Sequence, residues 1–483
     1  MLFTSLDFFL FLSLTLVLFG AVPAAQRWWL LLLASYAFYG AQHPLNLIYL
    51  GAVTVVVCGC AFALVRAEGA QRRLWLVAGL VAVLGSLAAF KFYDFLAAEA
   101  ERVLLAPGWT LPRLGVSAPA GFSFYAFSAA SYLIDSYARR VAAEHRFAPA
   151  ALYLAFFPKI LAGPIERATT FLPQLKSLRA DPQQVVHGLQ LIGWGLFKKV
   201  VIADALAPLV DRNFAIVAFA SPVELLISVY FFAFQIYCDF SGYTDIAIGV
   251  ALLFGLRLME NFRRPYLSRS TAEFWGERWH ISLGHWFRDY LYIPLGGSRG
   301  PALRRYFNVM IVFIVSGLWH AGLGYGIGWT FLVWGALNGA YQWVGLATGP
   351  LWDRLGKQWP AVSQGTALRV LRVLLTFHLI LITWVFFRAR SIGDALVVLR
   401  KIGANASELP FLLVQYPFSA EHLTGFALIA LLLVIEVLDE RRSIWQRLSA
   451  APIALRWAVY YAALFGLLLF GHWQTKEFIY MQF

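Results

Sequence analysis

What constrains this chain most is how seldom its apolar runs are interrupted by charge. Such runs occupy residues 6–24, 28–39, 45–65, 74–97, 119–137, 150–165, 185–209, 223–240, 246–258, 306–319, 327–346, 370–387, 423–438 and 453–472. A helix needs about 20 apolar residues to cross the hydrocarbon of a bilayer. In lipid every backbone N–H and C=O must find its partner within the protein, and a helix does this internally. Only 13% of the residues are charged and 60% are hydrophobic, against about 25% and about 45–50% in soluble domains. No aqueous surface can be built from so few charges, so much of the exterior faces the lipid bilayer. The pattern predicts an all-α, polytopic membrane protein, a single membrane domain over residues 1–483, with roughly eleven crossings. The runs 28–39, 150–165 and 246–258 are short and read as re-entrant or half-spans.

Charge gives orientation. The net charge is +13, which in a membrane protein reflects Lys and Arg held in cytoplasmic loops rather than nucleic-acid binding. Arg66, Arg72 and Arg73 mark one such loop, and Arg139, Arg140 and Arg146 another. Both lie inside if the N-terminus lies outside and 28–39 crosses. The run 6–24 has Asp7 but no basic residue before it, so it reads as a retained span of an inner-membrane protein rather than a cleaved leader. Residues 257–305 carry nine Arg and four acids among many aromatics, a composition expected of interfacial helices at the inner surface. Cys58, Cys60 and Cys238 form neither a disulfide framework nor a zinc motif.

Polar side chains at membrane depth are costly and point to function. His320 closes an apolar run beside Trp319. Its imidazole can take a proton from an attacking hydroxyl near neutral pH; the alternative is a helix-end hydrogen bond. His378 stands inside the run 370–387 and needs a partner, His320 being one candidate and a helix-packing hydrogen bond the alternative. Asp239 and Asp245 flank Ser241, Gly242, Tyr243 and Thr244. This reads as a broken helix lining a cavity or as caps at a helix start. Pro158, Gly163 and Pro164 indicate a kinked segment or a plain turn. Lys198 and Lys199 are expected to snorkel to the inner interface or to meet an anionic donor. Broken helices and buried charges would also suit a transporter, but the two matching halves that reading requires are not found.

Several strings together resemble the membrane-bound O-acyltransferases, in particular their bacterial alginate O-acetyltransferase branch. They are Ser316-Gly317-Leu318-Trp319-His320, Trp329-Thr330-Phe331 with Trp334-Gly335, and 239–245. Phe274-Trp275 with Arg278-Trp279-His280, Trp286-Phe287-Arg288-Asp289-Tyr290, Pro294-Leu295-Gly296-Gly297 and Thr376-Phe377-His378 also fit. The resemblance implies a many-helix bundle around a tunnel. An acyl donor such as acetyl-CoA enters from the cytoplasmic side and an acceptor hydroxyl arrives from the other. No tightly bound cofactor and no metal are implied. A periplasmic acetyltransferase partner and a polysaccharide acceptor, alginate-like, are. Carried onto this chain, the catalytic histidines are His320 and His378, with His320 as general base and His378 orienting the thioester or His320 itself. Substrate contacts fall to Trp319, Asn338, Asp239, Tyr243, Trp279 and Arg288, the last holding the donor's phosphates. Two positions depart from the family pattern: Ala321 replaces a Gly, and Asn338 replaces a His that exchanges protons where an amide cannot. Rival readings are D-alanyl transfer to teichoic acid and a non-catalytic polymer-export component.

Overall fold

The computed structural model describes residues 1–104, 110–115, 118–141, 147–321, 328–363, 365–473 and 478–479. Arg146 and most of the loop after Ala321 lie outside this set. Among the described residues every regular element is helical. The chain divides into two compact units, each assembled from separated stretches. Of the described residues, the first comprises those within 1–196, 242–260 and 473–479; the second comprises those within 197–241 and 261–472.

Eight helices among the described residues are long and apolar enough to cross a bilayer. The chain is a multi-pass membrane protein, with fewer such helices than the eleven crossings expected. The difference has identifiable causes. The runs 223–240 and 246–258 are one helix, Pro222–Leu253, of 32 residues. The run 150–165 breaks at Phe156 into helix Phe147–Ala155 and the short turn Phe157–Ile160, with Pro158 in the first turn of the latter. Pro suits that place because its missing N–H would have no helical acceptor there. The run 28–39 becomes helix Arg27–Gly40, only 14 residues long, too short to span the bilayer upright at about 1.5 Å per residue.

The unbroken helix Pro222–Leu253 overturns the expectation of a break at Gly242 and of caps at Asp239 or Asp245. Glycine serves close approach here instead. In the first unit a Cβ on Gly195 would lie 2.5 Å from the carbonyl oxygen of Gly242, and one on Gly188 would lie 2.7 Å from that of Gly249. Helix Pro182–Leu196 can therefore lie against residues 242–249 only because both sides lack side chains.

In the second unit, Ala302–His320 and Trp329–Gln358 form a tight pair of helices, and Thr366–Arg388 packs on the latter. The arginine-rich stretch does not form extended interfacial helices. It folds as pieces of three to seven residues: Pro265–Leu267, Thr271–Glu273, Phe274–Arg278, Ile281–Phe287 and Arg288–Tyr292. Buried Phe274, Trp279, Trp286 and Phe287 anchor these pieces, and Arg278 ties them down through Glu273 and Glu440, each at 2.8 Å.

Candidate active site

Helix Ala302–His320 ends on its histidine, and the returning helix starts at Trp329. The two backbones touch beside that end. A Cβ on Gly317 would lie 2.4 Å from the Phe331 carbonyl oxygen, and one on Gly335 would lie 2.4 Å from that of Phe313. With no side chain between them, the helices hold His320 against the first turns of its neighbour. The imidazole is 3% exposed. Its ring centroid lies 5.3 Å from Trp334, 5.1 Å from Phe387, 6.1 Å from Phe331 and 4.7 Å from Trp319. Aromatic walls exclude water, and in a low dielectric any charge that develops is felt strongly.

A second layer of indoles backs this cage. Trp334 and Trp384 stack at 6.3 Å, Trp275 meets Trp334 edge-on at 5.3 Å, and Trp279 lies 4.9 Å from Trp384. Asn338, fully buried, fixes the layer. Its Oδ1 accepts from Trp275 Nε1 at 2.9 Å, and its Nδ2 donates to the Trp334 carbonyl at 2.8 Å. At this position an amide supplies a donor and an acceptor at once, a pairing a neutral imidazole also offers. The indole N–H groups of Trp334 and Trp384 and the Thr330 hydroxyl are buried without a hydrogen-bond partner among the described residues. Buried donors are nearly always paired in native proteins, so these orphans, among them Trp334 with its ring 5.3 Å from His320, offer donors to a ligand's acceptor atoms.

Beside the cage, His280 Nδ1 lies 3.0 Å from Asn261 Oδ1. That oxygen also accepts from the Ser282 N–H and hydroxyl, so the histidine is the donor. Burial pushes the His280 imidazole down to about 3, so it is neutral under physiological conditions.

His378 is placed differently. Its Nδ1 lies 2.7 Å from the Leu374 carbonyl and its Nε2 lies 2.7 Å from the Tyr230 hydroxyl. A carbonyl only accepts, so Nδ1 carries the proton and Nε2 receives that of Tyr230. Both nitrogens are therefore occupied, and the expected pairing of His378 with His320 is not made. His378 is an exposed side chain on helix Thr366–Arg388, whereas Phe387 of the same helix reaches His320.

The remaining residues separate. Trp319 and Trp279 belong to the His320 cluster. Asp239 pairs with Lys199 at 2.6 Å, and Lys199 also reaches Asp204 at 3.0 Å. Lys199 is thus a buried ion-pair centre, not a snorkelling side chain. Tyr243 lies in the first unit, stacked on Phe3 at 4.5 Å. Arg288 is half exposed and held by Asp289 at 2.8 Å, so its charge is already partly matched.

The model of the membrane-bound O-acyltransferase family matches residues 47–388. The chain is 37% identical over 394 residues to the probable alginate O-acetylase of Azotobacter vinelandii, covering 80% of this chain and 74% of that one. It is 32% identical over 416 residues to the peptidoglycan O-acetyltransferase of Helicobacter pylori, covering 80% and 76%. The teichoic acid D-alanyltransferase of Bacillus subtilis is more distant, 24% identical over 248 residues and 49% of this chain.

The chain belongs to the membrane-bound O-acyltransferase family.

The matched region holds both histidines and the indole cluster. Sequence reasoning about this O-acyltransferase singled out His320 because it closes an apolar run, and Asn338 because it stands where the family resemblance has a histidine. It did not assign Trp334, Trp384 or Phe387 to the site. A tryptophan or phenylalanine in an apolar helix gives no contrast with its surroundings, and only the fold shows that these rings converge on one imidazole.

Proposed function

We propose that this O-acyltransferase moves an acetyl group from acetyl-CoA, or a similar cytoplasmic thioester, across a bacterial inner membrane for O-acetylation of an extracellular polysaccharide of alginate type. A periplasmic acetyltransferase partner completes the transfer. The observation that carries the reading is His320, buried in an aromatic cage with unpaired indole donors beside it. His320 takes the proton of the acceptor hydroxyl. The oxygen attacks the acyl carbon, and the carbonyl oxygen gains negative charge, which the unpaired Trp334 and Trp384 N–H groups would stabilise. As the C–O bond forms, the C–S bond breaks and the proton passes from His320 to the departing thiolate. His378, tethered by Tyr230, positions substrate rather than His320. The polysaccharide and the acetyl group are suggested by the relatives named above and by the smaller similarity to the D-alanyl enzyme.

The test uses purified protein in nanodiscs with radiolabelled acetyl-CoA, together with the acetyl content of the secreted polymer. Wild type should release thiol and pass label to a hydroxyl acceptor or to the partner, and His320→Ala should do neither while inserting normally. Thiol release unchanged in His320→Ala would remove that residue from the chemistry. Transfer of alanine but not of acetyl would favour the teichoic acid reading. No turnover of any thioester by wild type would favour the export component.

A further inference from the structure

Arg269, Arg369 and Arg372 converge, with Ser363, on one cavity of about 250 Å³. They come from two different parts of the second unit. Arg269 precedes the short helix Thr271–Glu273, while Arg369 and Arg372 sit three residues apart near the start of helix Thr366–Arg388. On a helix that spacing puts both on one face. Arg372 Nε donates to the Arg269 backbone carbonyl at 3.3 Å, which fixes the two parts to each other. Among the described residues no carboxylate pairs with any of the three guanidinium groups. Other arginines of the unit do have such partners: Arg278 with Glu273 and Glu440, Arg288 with Asp289, Arg388 with Asp211.

The three arginines are exposed, so water screens part of their mutual repulsion, and an anion held among them relieves the rest. Cytoplasmic loops collect arginine without any ligand, but that tendency scatters the charges rather than joining a loop and a helix around a single hollow. The guanidinium fork matches phosphate oxygens two at a time, while Ser363, whose hydroxyl donates to the Pro360 carbonyl at 3.0 Å, walls the hollow. We propose that Arg269, Arg369, Arg372 and Ser363 form a binding site for a phosphate group. Two sources offer that chemistry: the phosphates of a nucleotide-bearing thioester donor and the headgroup of an anionic phospholipid. The donor source rests on the acyl-transfer reading. It also suits the geometry, since Arg372 and Trp384 are twelve residues apart on one helix, about 18 Å of rise, so a phosphate at the arginines would leave an extended arm to reach the indole cluster.

The experiment compares wild-type protein, the triple variant R269Q/R369Q/R372Q and the three single variants. Arg400→Gln, an exposed charge removed elsewhere, is the control. In phosphatidylcholine nanodiscs, coenzyme A and its 3′-dephospho form are titrated by calorimetry. In parallel, thermal unfolding is followed as phosphatidylglycerol is added. If the donor is the source, coenzyme A binding weakens at least tenfold in the triple variant, partly in each single variant, and not in Arg400→Gln. If lipid is the source, coenzyme A binding is unaffected, and the stabilisation by phosphatidylglycerol disappears in the triple variant, falls in part in each single variant, and persists in Arg400→Gln. Should the triple variant not fold, the single variants carry the same comparison. Unchanged coenzyme A affinity together with unchanged phosphatidylglycerol response overturns the site. Thiol release by wild type is measured in the same samples. Its absence would sink the acyl-transfer reading while leaving phosphate binding standing or falling on the titrations.

Discussion

Lys199 Nζ lies 2.6 Å from Asp239 Oδ1 and 3.0 Å from Asp204 Oδ1, and all three side chains are buried. Lys199 sits in the widened helical turn Phe197–Ala203, and Asp239 in the middle of helix Pro222–Leu253. Widened turns of this kind re-aim side chains and recur at functional sites. This one turns a lysine inward, where an isolated ammonium would be prohibitively costly.

The pair sets a clear order of mutational effects. Lys199→Met leaves two carboxylates buried together without their cation, and breaking a buried pair this way costs about 3–5 kcal/mol. Asp239→Asn leaves the Lys199–Asp204 contact and should cost less. Thermal unfolding in detergent, with the yield of monodisperse protein, is expected to rank wild type above Asp239→Asn and Asp239→Asn above Lys199→Met. The reverse order would show that Asp239, not Lys199, is the costlier member to lose.

Gly317 and Gly335 admit no side chain without moving a neighbouring carbonyl, each Cβ falling 2.4 Å from an oxygen. Gly335→Ala must therefore push helix Trp329–Gln358 off helix Ala302–His320. Overpacking of this kind typically costs about 1–3 kcal/mol. A misplacement of about 1 Å at a reacting group can cost roughly a hundredfold in rate. Gly335→Ala should thus accumulate in the membrane at reduced but measurable levels, with activity per molecule falling further than abundance. Gly345, with open space around its Cβ position, is the comparison, and Gly345→Ala should be near neutral. Equal behaviour of the two variants would refute the close-packing argument.

His280 gives the stability a pH dependence. Burial lowers its imidazole from 6.5 to about 3, so the fold favours the neutral ring. Between those values the unfolded chain binds the extra proton and the native state does not. This contribution is complete above pH 6.5 and is lost as pH falls toward 3. The residue adopts φ 46°, a left-handed conformation that asparagine tolerates among non-glycine residues. His280→Asn is therefore the suitable variant. Its unfolding temperature should vary less between pH 7 and pH 5 than that of wild type, and an identical pH slope would exclude His280 as the titrating group.

The membrane class was legible in the sequence, and His320 stood out as a candidate, because both rest on contrast: charge against apolar runs, and one imidazole closing such a run. Helix continuity was not. Gly242 in a polar stretch looks like a break, since glycine and hydrogen-bonding side chains favour turns. The contact between Gly195 and Gly242 reverses that meaning and depends on a segment nearly fifty residues away. Lys199 was misplaced for a similar reason. A lysine near the end of an apolar run ordinarily reaches for water, and nothing local reveals that Asp239 waits forty residues downstream. The indole cluster was hidden in another way, since its rings come from three separate elements.

The two histidines provide the last test. His378 is occupied by Leu374 and Tyr230. Phe387, which touches His320, lies nine residues further along the same helix, about 13 Å of rise. The histidines thus do not form one hydrogen-bonded unit, and mutations at sites this far apart usually combine additively in free energy. His320→Ala, removing the proposed general base, should lower the transfer rate about a hundred- to ten-thousand-fold. His378→Ala should lower it less, and Tyr230→Phe less again, because that change removes only the hydroxyl holding Nε2. The double variant His320→Ala with His378→Ala should show the product of the two single losses. Single-turnover transfer of labelled acetyl groups by purified variants measures all four. A double variant no slower than His320→Ala alone would mean that the two imidazoles act on the same proton after all, and that substrate binding brings them together.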